Sequence, residues 1–192
     1  MRWTMKNKYK ITFNSPMVLS LVFMCFVVTS LNYITSGASN RALFITYHSS
    51  LKEPMTYVRL FTHVLGHVDW EHFIGNMMYI LLLGPMLEEK YGSKRIFQLI
   101  AITAVVTGVI HYVFFWNVAL CGASGVCFAF ILLSSFTGFR EGELPLTVIL
   151  VAAIFLGQQI YEGIVLEDNI SNIAHIFGGI VGGIVGFSLN KK

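Results

Sequence analysis

The run Ala174-His175-Ile176-Phe177-Gly178-Gly179 opens an apolar stretch that continues through Gly182 and Gly186 to about residue 189. Gly178, Gly182 and Gly186 recur at every fourth position, a small-residue stripe that lets two membrane helices approach closely. His175 lies on the same face, three residues before Gly178, and so points at whatever helix the glycines pack upon. A histidine at the mouth of a segment otherwise fit only for lipid is expensive to bury without a purpose. About fifty residues earlier, Gly122-Ala123-Ser124-Gly125 opens another apolar helix. If that helix is the partner of the glycine stripe, His175 reaches Ser124, and the pair reads as a nucleophile and its base inside a membrane.

Composition agrees with a membrane setting. The chain has 192 residues, 55% hydrophobic and 12% charged, with a mean hydropathy of +0.69. Soluble domains carry about 25% charged residues, so the surface must face something apolar. A net charge of +3 is too small to argue for nucleic acid, and the basic residues fall in short blocks beside apolar runs. Cys25, Cys121 and Cys127 have neither metal-ligand spacing nor a disulfide framework and read as small buried hydrophobes. Cys121 lies close to Ser124, but no cysteine-protease signature surrounds it.

Apolar runs at roughly 17–35, 72–90, 96–116, 122–138, 144–162 and 173–189 predict six transmembrane helices. Most approach the ~20 residues a span needs. The fourth covers only ~25 Å at ~1.5 Å per residue, short of the ~30 Å hydrocarbon core, so its Gly-rich start belongs below the membrane surface. That places Ser124 at the floor of a recess. Arg2, Lys6, Lys8 and Lys10 precede the first run; Lys90, Lys94, Arg95 and Arg140 lie on the same side; Lys191 and Lys192 end the chain. Arg41, Lys52 and Arg59 fall opposite, so the positive-inside rule predicts cytoplasmic termini, with Ser124 and His175 both opening outward. The organisation expected is a tail at 1–16, one helical domain at 17–190 and a terminus at 191–192. The first run is longer than a signal-peptide core and reads as a retained helix. Residues 36–70, with Phe44, Tyr47, Tyr57 and Trp70, read as an ordered external loop partly in the interface.

Several polar side chains gather at that outer level. His72 and Asn76 are spaced i, i+4 and share one helix face. Both can donate hydrogen bonds without an obligatory charge, and interhelical bonding is the bland alternative. Ser124 sits in a first helical turn, whose free N–H groups and dipole would stabilise an oxyanion. Gly122 and Gly125 let a substrate backbone approach. Phe128, one turn below Ser124, is placed to pack on the imidazole. No acidic residue follows at a place that would complete a triad. His111, within the third run, reads as a packing or hydrogen-bonding residue. Gln158 and Gln159 either flank a lateral gate or supply ordinary helix polarity.

These motifs resemble the rhomboid intramembrane serine proteases. The family pattern R-x-F-T-H is met by Arg59-Leu60-Phe61-Thr62-His63, and H-x4-H-x3-N by His67, His72 and Asn76. G-x-S-G is Gly122 to Gly125, and A-H-x-x-G-x3-G is Ala174, His175, Gly178 and Gly182. Glu89-Lys90 with Gly92-Ser93 resembles the cytoplasmic turn after the second helix. The resemblance covers about 59 to 186, with every motif in order and on its own span. One departure is visible: many relatives have Trp-Arg where this chain has Val58-Arg59, which bears on loop anchoring rather than on catalysis.

The resemblance implies a six-helix bundle with a water-filled active site open to the outside. By position, Ser124 would be the nucleophile and His175 its general base; His72, Asn76 and the Ser124 N–H would form the oxyanion hole. Phe128 would pack on the catalytic histidine, and Asn172 would lie in a loop that binds substrate backbone. His63 and His67 would be structural, and Arg59 would anchor the first loop; His48 matches nothing. The expected activity is an endopeptidase cutting in or next to transmembrane segments, in a bacterial plasma membrane, with no metal and no cofactor. The partners expected are transmembrane substrates and the bilayer, with no nucleic acid; oligomeric state is not readable. Two rival classes stand beside this one: an inactive relative that binds transmembrane clients, and a small transporter using His72, Asn76 and His175 as a polar pathway.

Overall fold

The computed structural model describes residues 11–138, 143–165 and 169–190, the side chains of 162–165 and 169–171 excepted. Arg2, Lys6, Lys8, Lys10, Arg140, Lys191 and Lys192, on which much of the orientation argument rests, lie outside the described residues. The described chain folds into seven α-helices: α1 (Pro16–Ile34), α2 (Pro54–Thr62), α3 (Trp70–Tyr91), α4 (Ser93–Phe114), α5 (Ser124–Ser135), α6 (Leu146–Val165) and α7 (Asn169–Asn190). An antiparallel bridge joins Thr46 and Leu120.

Helix ends are set by local chemistry. Pro16 occupies the start of α1, where a missing N–H is harmless. The Glu88 carboxylate, buried at the end of α3, accepts from Met17 N and Val18 N at 2.9 Å each. These two orphan donors in the first turn of α1 are thereby satisfied by an anion at the positive end of the helix dipole. Asp69 caps α3, its carboxylate accepting from His72 N at 2.7 Å. Gly92, at φ +82°, ends α3 and lets α4 begin at once.

The short helix α5 is the hub. Its twelve residues span only ~18 Å, and Val126, Ala129, Phe130 and Leu133 are completely enclosed. α3, α4, α6 and α7 all pack on it, α7 most extensively. The α5–α7 contact is backbone on backbone: a Cβ at Gly178 would stand 2.2 Å from Gly125 O, and one at Gly182 would stand 2.2 Å from Ala129 O. The stripe read in the sequence thus lies against the helix that begins at Ser124. Gly108 does the same for α2 on α4, its absent Cβ falling 2.3 Å from Leu60 O.

The outer faces carry large apolar side chains such as Phe23, Leu82, Ile154 and Ile184, each more than 60% exposed. Surface of that kind on almost every long helix requires lipid rather than water. Pro16–Ile34, Ser93–Phe114 and Asn172–Asn190 are long and apolar enough to cross a membrane, and Ser124–Ser135 and Leu146–Tyr161 are shorter apolar helices. In α3 the first two turns hold Glu71, His72 and Asn76, which dilute its hydropathy. The protein is an all-helical integral membrane protein.

Two expectations are corrected. His175 does not open its helix: α7 begins at Asn169 and puts His175 in the second turn. Asn172 is likewise no loop residue but a buried position within α7. Asn169, Ser171 and Asn172 carry no hydropathy signal, yet nothing in their backbones prevents helical hydrogen bonding, so the helix outruns the apolar stretch. The segment 36–70 is ordered, and it includes α2, a π-helical turn at Asn40–Phe44 and a 3-10 turn at His63–Leu65.

Candidate active site

Ser124 is the first residue of α5, so its hydroxyl and its unpaired backbone N–H stand together at the helix mouth. The approach to it is fixed by Gly122, whose φ of +121° favours glycine. Gly122 N donates to His63 O at 2.9 Å, and Leu120 exchanges two 2.9 Å backbone bonds with Thr46. The loop between α1 and α3 therefore holds the segment that delivers Ser124.

A cavity of about 550 Å³ opens beside Ser124, lined by His72 and Asn76 of α3, Phe128 of α5, Gln158 of α6 and His175 of α7. Four elements bring their polar side chains to one space. His72 lies against Gly122, where a Cβ would come within 2.6 Å of its ring. Asn76 is buried, and its Nδ2 has no hydrogen-bond partner among the described residues. A buried amide donor left unmade is costly unless something arrives to accept from it. Its other end is held, since Cys127 Sγ approaches Asn76 O at 3.4 Å and Oδ1 at 3.6 Å.

His175 is clamped on two sides. Its ring packs on Phe128, centroids 4.4 Å apart, and Phe128 in turn packs on Phe155 at 4.3 Å. Nδ1 stands 2.8 Å from Gln159 Oε1. An amide oxygen can only accept, so Nδ1 carries the proton and Nε2 of the neutral ring keeps its lone pair. No spacing or motif pointed to a meeting of Gln159 with His175. The available signal was the amide itself: a glutamine within an apolar run, 2% exposed once folded, demands a partner.

The remaining histidines have structural surroundings. His63 contacts Leu60 O at 3.1 Å through Nδ1 and Thr107 Oγ1 at 3.3 Å through Nε2. His67 sits edge-on to His72 at 5.1 Å, with Nδ1 3.2 Å from Leu65 O. Burial pushes both down to about 4; the neighbouring His72 adds to the effect on His67. His111 Nε2 lies 2.9 Å from Val118 O, and His48 stacks on Trp116 and Tyr112. Arg59, 5% exposed, donates from Nη1 to Tyr47 Oη at 2.8 Å and lies over the Tyr47 ring at 4.5 Å. It also meets Glu53 at 3.5 Å. The first loop is thus tied down through Arg59, with Val58 beside it. Burial, with help from Asp69, pushes the Cys121 thiol up to about 11, so it is not a thiolate at neutral pH.

A family model for the rhomboid domain matches residues 54–192. The chain is 27% identical over 183 residues to the rhomboid protease GlpG of Yersinia pestis (strain Pestoides F), an alignment covering 90% of this chain and 62% of that protein. The GlpG of Yersinia pseudotuberculosis serotype O:3 (strain YPIII) matches to the same extent, so the chain spans about 62% of the length of these relatives. The GlpG of Haemophilus influenzae is 26% identical over 162 residues, covering 81% of this chain and 82% of that protein. With the family model extending from α2 to the end of the chain, the protein belongs to the rhomboid family.

Proposed function

We propose that this protein is an intramembrane serine endopeptidase that cuts peptide bonds in or next to transmembrane segments through a Ser124–His175 dyad. The observation that carries the reading is the single cavity onto which Ser124, His175, His72 and the unpartnered amide of Asn76 converge. In this mechanism Nε2 of His175 takes the hydroxyl proton as Ser124 Oγ attacks the scissile carbonyl. The Ser124 N–H, Asn76 Nδ2 and a ring N–H of His72 receive the developing oxyanion. His175 then protonates the leaving amine, and water, activated by the same nitrogen, releases the acyl group from Ser124.

The membrane frame that goes with this chemistry is six spans, formed by α1 and α3 to α7, with cytoplasmic termini and the cavity on the outer side of a bacterial plasma membrane. α2 then lies in the external loop. A transmembrane substrate hides its carbonyls in its own helix, so segments weakened by Gly or Pro should be preferred.

The test is labelling of purified protein with a fluorescent fluorophosphonate, alongside cleavage of a generic transmembrane substrate. Labelling and cleavage by wild type, with neither in Ser124→Ala nor in His175→Ala, is the expected result. Comparable cleavage by Ser124→Ala removes the dyad. A wild type that neither labels nor cleaves points to an inactive relative that binds clients.

A further inference from the structure

The dyad chemistry uses one nitrogen of His175 and leaves the other to be explained. That second nitrogen meets the amide oxygen of Gln159 at 2.8 Å, and Gln159 is 2% exposed on a helix whose preceding stretch, 148–156, is entirely Val, Ile, Leu, Ala and Phe. Nothing in helix formation or lipid exposure calls for an amide there; a leucine would fill the position without a desolvation cost. We propose that Gln159 is a positioning residue that holds His175 as the Nδ1–H tautomer, from a different helix than either member of the dyad. The inference rests on the serine-protease reading given above.

The chemistry favours glutamine for a physical reason. A carboxylate in this place would bind the imidazolium more strongly, but an ion held among lipid-facing helices is expensive. An amide oxygen fixes the same tautomer with a dipole alone. Phe128 sets the ring plane from α5 while Gln159 sets rotation about that plane from α6. The other titratable side chains lining the cavity, among the described residues, are His72 and Tyr79 of α3 and Cys127 of α5. None is a carboxylate, so Gln159 is the acceptor that replaces one.

The variants are Gln159→Leu, which removes the acceptor, and Gln159→Glu, which keeps it and adds charge. Both are compared with wild type for melting temperature in detergent, for kcat and KM against pH on a transmembrane substrate, and for the 15N NMR signals of His175. Gln159→Leu should lower kcat about 100-fold with KM within about twofold, and should move the acid limb of the kcat/KM profile to lower pH. Gln159→Glu should retain cleavage and move that limb to higher pH, because a neighbouring anion favours imidazolium. The NMR signals should report protonated Nδ1 in wild type and a tautomer mixture in Gln159→Leu. Unchanged kcat, acid limb and tautomer in a folded Gln159→Leu would overturn the inference while leaving the protease reading intact. An inert wild type whose tautomer still depends on Gln159 would keep the positioning role and remove the protease reading.

Discussion

Replacing Gly122 by alanine should disable the site by two separable routes. The residue sits at φ +121°, and holding an L residue there costs on the order of 1–3 kcal/mol. The new Cβ would also stand 2.6 Å from His72 Cε1 and 2.7 Å from its Nε2. Restoring an ordinary contact near 3.4 Å requires the ring to retreat by 3.4 − 2.6 = 0.8 Å. His72 can make that move, because its ring is the free end of a half-buried side chain, so the stability loss stays near the backbone strain. Activity has no such relief. A displacement of ~1 Å in a positioned group costs on the order of 100-fold, or about 2.7 kcal/mol in the barrier. The assay is a double-mutant cycle on kcat with Gly122→Ala, His72→Ala and the pair, melting temperature being followed in parallel. If alanine acts through the ring, the pair should be no slower than the slower single variant, since residues in contact are not additive. Wild-type kcat in Gly122→Ala, or two losses that multiply in full, would refute the reasoning.

Asn76→Ala should separate catalysis from folding: its Nδ2 makes no bond at rest, so kcat should fall about 100- to 1000-fold while the melting temperature shifts little. A fall in melting temperature without loss of kcat would make Asn76 structural. Gly182→Leu should prevent the α5–α7 contact, because the Ala129 carbonyl 2.2 Å from any Cβ is backbone and cannot move aside; the expected result is loss of the monodisperse detergent-solubilised protein, and a normal elution profile would contradict it. Stability should also decline on acidification. His63 and His67 are held at about 4, below the ~6.5 of an unfolded histidine, so their contribution is complete above pH ~6.5 and is lost as pH falls toward 4. Each contributes about 1.4 kcal/mol per pH unit in that window, and melting temperatures that stay flat between pH 7 and 5 would exclude it.

Some of this molecule is readable along the chain and some is not. The glycine stripe of α7 is legible because period four on a helix is a local property, and its consequence, contact at backbone distance, needs no side chain to be guessed. Likewise His72 and Asn76 share a face through spacing alone, and Ser124 stands at a helix start just after Gly122. Helix ends are less legible. Hydropathy reports lipid depth rather than hydrogen bonding, so the apolar run beginning near 173 misses the polar first turn at Asn169. At the other extreme the run extends to 138, whereas α5 ends at Ser135, where Ser134 and Ser135 bond back to Ile131 O and Leu132 O. Arg59 finds Tyr47, twelve positions away across an irregular loop, by a route that no periodicity announces.

The contact between Gln159 and His175 has a consequence for how such a site is regulated by its own architecture. Gly125 and Ala129 of α5 are locked against Gly178 and Gly182 of α7 by backbone contact, which leaves no room for relative motion without loss of the core. Among the described residues α6 has no comparable glycine seam with α5; it meets them through side chains, Phe155 lying on Phe128 and 2.8 Å from where a Cβ of Gly179 would stand. Side-chain contacts of that sort slide more readily than backbone ones. Ser124 is therefore carried on the rigid pair, while the orientation of His175 depends partly on the helix with the softer attachment. If a substrate helix enters by pushing α6 outward, the Gln159 bond lengthens first, and the imidazole regains its second tautomer until α6 returns. Tying α6 to α7 would then preserve the tautomer but exclude long substrates, so fluorophosphonate labelling should persist where transmembrane cleavage fails. Loss of both together would mean that α6 mobility serves the chemistry itself rather than entry.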